Sequence, residues 1–80
     1  MGHPANWPEA RAAYIEGSIT DPDRDAFARV YPTLDEVAVV YGIARTSVRR
    51  KAAQEGWVEQ RELFQMDVEQ ARRRMLTERR

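Results

Sequence analysis

Apolar positions along the chain recur at helical spacing in several stretches, with short breaks between them. Over 8–16, Ala10 and Tyr14 fall four apart, with Trp7 or Ile15 beside them, which predicts a first helix buried on that side. Pro8 suits its opening turn, where a missing N–H loses no partner, and Gly17 with Ser18 stops it. The first six residues, with Gly2, Pro4 and Asn6, read as disordered. From Ile19 the pattern weakens: Asp21-Pro22 opens a turn, and a short helix over 22–30 carrying Phe27 and Val30 inward is the available reading.

The signal sharpens at Thr33. With Glu36 three positions later it forms a capping box, in which each side chain accepts the other's free backbone N–H. Leu34, Val37, Ala38 and Tyr41 then give a helix over 34–41, ended by Gly42. Apolar Ile43 follows, and a helix over 45–55 keeps Val48 and Ala52 on one face before Gly56. Beyond Gly56 there is no Gly or Pro. Trp57, Arg61, Phe64, Val68, Ala71 and Met75 alternate at spacings of four and three, one stripe on a long helix over 57–80. The stripe covers fewer than three heptads and contains an arginine, which falls short of a coiled coil.

Two short helices joined by a tight glycine turn have the pattern of a helix-turn-helix. Val37, Ala38, Gly42, Ile43 and Val48 stand where it needs a core residue, a small crossing residue, a turn, a plug and an anchor. The expected fold is therefore all-α: a three-helix, homeodomain-like domain over 1–56, then an amphipathic helix over 57–80 that links or oligomerises. Phe64, Val68, Ala71 and Met75 are the candidate oligomerisation residues, and pairing with another chain is preferred to folding back because so small a core holds little reserve.

With Val48 inward, steps of about 100° per residue turn Thr46, Arg49, Arg50 and Ala53 outward, with Arg45 and Ser47 at the helix start. The second helix of this motif enters the major groove with its first residues against base edges. Arginine grips guanine by two hydrogen bonds, hydroxyls serve bases or phosphates, and a small Ala53 meets a thymine methyl. The candidate DNA-binding residues are Arg45, Thr46, Ser47, Arg49, Arg50 and Lys51. Exposed arginines are most often only solvated; this set stands out because no acid lies between Arg45 and Lys51.

Composition narrows the alternatives. The net charge is zero, yet residues 1–32 carry three arginines against five carboxylates while all four cations of 33–56 sit between Arg45 and Lys51. That points to one directed contact in place of general affinity for polyanions. No cysteine is present and the one histidine, His3, cannot build a metal site alone, so no metal or cofactor is expected. With no activated nucleophile and no phosphate loop, an enzyme is not expected either. Asp21, Asp23 and Asp25 alternate like a calcium loop, but Ala26 and Pro32 fall where that loop needs Gly and Glu. Arg72, Arg73 and Arg74 fan around a helix with acids in pairing reach, which reads as a solvated surface. No apolar run approaches the ~18 residues of a membrane span, and Met1 leads into His3, Pro4 and Asn6 without a signal-peptide pattern, so a cytoplasmic protein with no membrane partner is expected.

The run Tyr31-Pro32-Thr33-Leu34-Asp35-Glu36-Val37-Ala38, then Tyr41-Gly42-Ile43-Ala44, Ser47-Val48-Arg49-Arg50-Lys51-Ala52-Ala53 and Glu55-Gly56-Trp57 with Gln60-Arg61, resembles the N-terminal domain of bacteriophage terminase small subunits. Tyr14-Ile15-Glu16-Gly17 is similar to the first helix of that domain. The resemblance implies a non-catalytic factor that recognises viral double-stranded DNA for genome packaging, assembles as a homo-oligomer in the host cytoplasm, and serves a large terminase subunit holding the ATPase and nuclease. Ala44 stands where that family usually has a capping residue, which implies a shifted or weak cap on the helix over 45–55. Two other functions suit the same residues: a dimeric phage or bacterial transcriptional regulator, and a protein-interaction module acting through the long helix.

Overall fold

The computed structural model describes residues 6–25 and 27–78, so the expected disorder over 1–5 and the predicted helix end at 79–80 lie outside the described residues. The described chain is mostly helical: α1 (Trp7–Glu16), α2 (Leu34–Tyr41), α3 (Arg45–Glu55) and α4 (Trp57–Glu78), with two-residue strands β1 (Ser18–Ile19) and β2 (Arg29–Val30) between α1 and α2. Helix α1 starts one residue earlier than expected because the Asn6 side chain caps it, accepting from the Glu9 N–H at 3.4 Å. Helices α2 and α3 occupy the predicted residues, and the Thr33–Glu36 capping box is formed in both directions at 3.1 Å.

The described residues of 22–30 do not form the short helix that Phe27 and Val30 suggested. The Asp21 and Asp25 carboxylates accept from the backbone N–H groups of Arg24 and Phe27, holding turns that compete with a helix. Past that turn, Arg29 and Val30 pair antiparallel with Ile19 and Ser18. The same turn explains the alternating aspartates: two of them bind the chain's own backbone. Arg29 closes the unit from the other side, its guanidinium donating to the Glu16 carbonyl at 2.7 Å and lying 4.9 Å above the Phe64 ring.

One core joins all four helices: Ala10, Tyr14, Ile15, Val37, Ala38, Val48, Ala52 and Trp57, with Trp7, Leu34, Tyr41, Ile43 and Phe64 packed around it. Trp57 is fully buried although it is the first residue of α4. Its ring meets Trp7 edge-on and Tyr14 at a tilt, each with centroids 6.2 Å apart, and its indole N–H donates to Glu55 at 3.0 Å. The predicted boundary between 56 and 57 therefore cuts through the core. Arg61, one turn on, donates to the Tyr14 carbonyl at 2.8 Å and to the Pro32 carbonyl, with its guanidinium 3.7 Å above the Tyr14 ring. Past this clamp α4 runs beyond the other helices, which gives the molecule extents of 57 × 25 × 17 Å.

Two substitutions check this architecture. Trp57→Ala should cost about 3–5 kcal/mol, the range for removing a buried large aromatic. In urea unfolding, a loss below about 1 kcal/mol would show that the core does not close on α4. The second test compares two glycines. Gly42 is left-handed with open space at its Cβ position, so alanine there should cost about 1–2 kcal/mol from the backbone alone. Gly17 combines φ 64° with ψ −154°, and a Cβ there would sit 2.4 Å from the Val30 carbonyl oxygen. Gly17→Ala should be the worse of the two, and equal melting temperatures would contradict the β1–β2 closure.

Candidate nucleic-acid interface

The site is built by what α3 does not bury. Of its eleven residues only Val48 and Ala52 reach the core, and both are small or short enough to bring the helix close to α2. The turn that sets its direction is Gly42 to Ala44: Gly42 is left-handed at φ 64°, and the Ile43 N–H donates back to the Ala38 carbonyl at 2.9 Å. Ile43 itself packs against the core under the turn. Ala44 occupies the N-cap position and makes no side-chain bond, so neither Thr46 nor Ser47 takes over and the cap is simply weak.

Arg45, Thr46, Arg49, Arg50 and Ala53 are exposed on α3, as the helical stepping requires. Ser47 is half-buried. Lys51 departs from the predicted set. Its ammonium binds Glu55 at 2.9 Å, one turn along the helix, and lies 5.6 Å from the Trp7 ring centroid, so it serves the flank next to α1. Angular position explains this: Lys51 is three residues from Val48 and so near the edge of the buried face, where its stem packs and its charge finds Glu55.

Asp35, in the first turn of α2, is the residue that sequence reasoning missed. An Nη of Arg49 donates to both carboxylate oxygens at 2.9 and 3.0 Å, with the arginine side chain 61% exposed. An exposed pair of this kind contributes about 0–1 kcal/mol to stability, so its consequence is orientation. It draws the Arg49 guanidinium toward the α2 side of the exposed face and offsets one of three positive charges there. Helix-dipole complementarity accounts for an acid in this first turn, but the Thr33–Glu36 capping box already serves that end of α2. The available signal was Asp35 being one acid more than the cap needs.

Beside this pair, Val39 and Val40 are 69% and 74% exposed. With Asp35, Glu36 and Arg45 they line a shallow apolar depression. The run Val37-Ala38-Val39-Val40 overruns the buried face of α2, a feature the spacing argument passed over. The predicted oligomerisation residues sit elsewhere. Phe64 packs on the core, Val68 and Ala71 are half-buried, and Met75 lies with Phe27 and Arg72 in a cleft against the 22–27 turn. Arg72 secures that contact with Asp25 at 2.9 Å. Most of the stripe thus faces its own chain, since the 22–30 segment supplies a partner that the spacing of α4 alone did not reveal.

At the far end of α3, the Trp57 indole N–H and then the Lys51 ammonium hold the Glu55 carboxyl below the usual carboxylate pKa. Comparisons with family models, with curated proteins and with solved structures find no match to this chain. No helix among the described residues is long and apolar enough to cross a membrane.

Because the Glu55 pKa is lowered on folding, its stabilising contribution is complete above the unfolded carboxylate value near ~4.3. It is lost as pH falls through the lower folded value. Melting curves between about pH 6 and pH 3 should therefore fall more steeply for the native chain than for Glu55→Gln. Parallel curves would exclude a folded-state partner for Glu55.

Proposed function

We propose that the chain binds double-stranded DNA, with α2, the Gly42 turn and α3 acting as a helix-turn-helix and the exposed flank of α3 entering the major groove. The observation that carries this reading is the division of α3. Val48 and Ala52 hold it in the core while Arg45, Thr46, Arg49, Arg50 and Ala53 remain exposed together. Arginine at those positions is suited to guanine edges and phosphates, and Ala53 permits close approach. Lys51 is left out of the contact set because Glu55 and Trp7 engage it.

The resemblance of the 31–61 stretch to bacteriophage terminase small subunits extends the proposal to a role. In that role the chain is the non-catalytic subunit that selects viral DNA for packaging and passes it to a large subunit carrying the ATPase and nuclease. The short turn and the Gly56-Trp57 step into a long helix support it. A cytoplasmic location in the host follows from the role.

Fluorescence anisotropy with duplex DNA over a salt series tests the binding. Three arginine–phosphate contacts give a slope of about −2.7 in log K against log salt. Arg50→Ala should weaken binding by about 1–3 kcal/mol and relax sequence preference if it reads a base. Asp35→Asn should act in the opposite direction, tightening non-specific binding by removing a carboxylate from the face and releasing Arg49. Absence of binding at low salt, or an Asp35→Asn variant that binds more weakly, would defeat the assignment of this face. The packaging role is separately checked by stimulation of a terminase large subunit's ATPase by the native chain; DNA binding without any stimulation leaves a regulator.

A further inference from the structure

The three exposed arginines of α3 are not equivalent. A single Nη of Arg49 donates to both Asp35 oxygens, at 2.9 and 3.0 Å, across from α3 to the first turn of α2. The other Nη and the Nε of Arg49 make no hydrogen bond among the described residues. Arg45, which borders the depression on α2, and Arg50 have no ion-pair partner among the described residues. Thr46, Arg49, Arg50 and Ala53 follow one another at steps of three, one and three, so Arg49 lies mid-strip on a helix laid in a groove.

We infer that Arg49 reads a guanine in the major groove with Asp35 as its positioning residue, while Arg45 and Arg50 take phosphates. The inference rests on the DNA-binding reading and names the base that this face selects. Charge separates the roles. A phosphate on the Arg49 guanidinium would lie beside the Asp35 carboxylate, and the pair as a whole is neutral, so it draws little on the phosphate backbone. A base edge carries no net charge and meets no such repulsion. Among the four bases only guanine offers two neighbouring acceptors, O6 and N7, to the N–H groups that Asp35 leaves open. Adenine and cytosine each turn an amino group toward an arginine, and thymine offers one oxygen beside a methyl.

Asp35 acts through Arg49. An arginine free in solvent can leave a wrong base and swing to a phosphate, which keeps affinity and loses selection. Held by a carboxylate on a second helix, Arg49 has less freedom to lose on binding and fewer alternatives when the base is wrong. Moving Arg49 from a phosphate to a base also takes the expected salt slope from the −2.7 of three phosphate contacts to about −1.8.

The test selects a preferred duplex with the full chain from a pool of randomised sequences, then replaces its guanines one at a time and measures anisotropy over a salt series. One guanine-to-adenine change should weaken the native chain about tenfold or more. Arg49→Ala should bind the two duplexes equally, and so should Arg49→Lys, which keeps the charge without the fork. Neither should change the salt slope, whereas Arg50→Ala should make it shallower by about 0.9. Asp35→Asn should cut the guanine preference below about threefold, chiefly by tightening on the altered duplex, and steepen the slope by about 0.9 as Arg49 moves to a phosphate. Asp35→Glu should restore part of the preference. The inference is overturned if Arg49→Ala keeps the guanine preference, if Arg49→Ala makes the slope shallower by about 0.9, or if Asp35→Asn leaves preference and slope as in the native chain. Each of those results leaves duplex binding itself in place; a native chain that binds no duplex at low salt removes both readings.

Discussion

Everything in this fold hangs on Trp57, a large side chain placed where a helix begins instead of where one is well established. Gly56 takes the left-handed turn that ends α3, and the next residue is fully buried. This couples the end of α3 to the start of α4 with no linker to absorb error. Trp7 and Tyr14 from α1 close on the same ring, so one aromatic contact fixes three helices at once. Arg61 then supplies the polar half of the joint. Its guanidinium donates to the Tyr14 and Pro32 backbone carbonyls and stacks on the Tyr14 ring. A lysine has neither the fork nor the planar face for that geometry.

The dependence of α3 on this joint explains how so polar a helix stays in place. A helix that buries only Val48 and Ala52 gains little from its own core contacts, and marginal helices of this length depend on tertiary packing. Trp57 on one side and the Ile43 plug on the other hold its two ends, which leaves the middle free to present arginines. Asp35 adds a constraint of a different kind. By engaging Arg49 it reduces both the freedom and the net charge of the exposed face, so attraction to any polyanion is restrained and geometry gains weight. A face of unrestrained arginines would attract polyanions more strongly and discriminate among them less.

Local signals made most of the helical scaffold legible. The capping box at Thr33, the left-handed Gly42 and Gly56, and the spacing of Val37, Ala38, Val48 and Ala52 each act over a few residues and were readable one turn at a time. The misreadings share the opposite property. Whether 29–30 is strand or helix depends on pairing with 18–19, eleven residues earlier, which no window of helical spacing contains. Arg61 looked like a flaw in an apolar stripe because its carbonyl partners lie 47 and 29 residues away. Lys51 and Arg49 were indistinguishable as cations. Only the position of Trp7 and Asp35 around α3 separates one that is engaged by α1 from one held on the exposed face.

The zero net charge is the sum of segregated parts, and the segregation has a physical logic. Asp21, Asp25 and Glu36 bind backbone N–H groups in turns and at the cap of α2. The cations of α3 divide into one turned back toward Trp7, one paired with Asp35, and Arg45 and Arg50 on the open flank. Neutrality here prevents indiscriminate attraction at long range, because beyond the ~10 Å screening length the opposed patches cancel. At contact distance they do not cancel, and each patch selects a surface whose charges arrive in the right order.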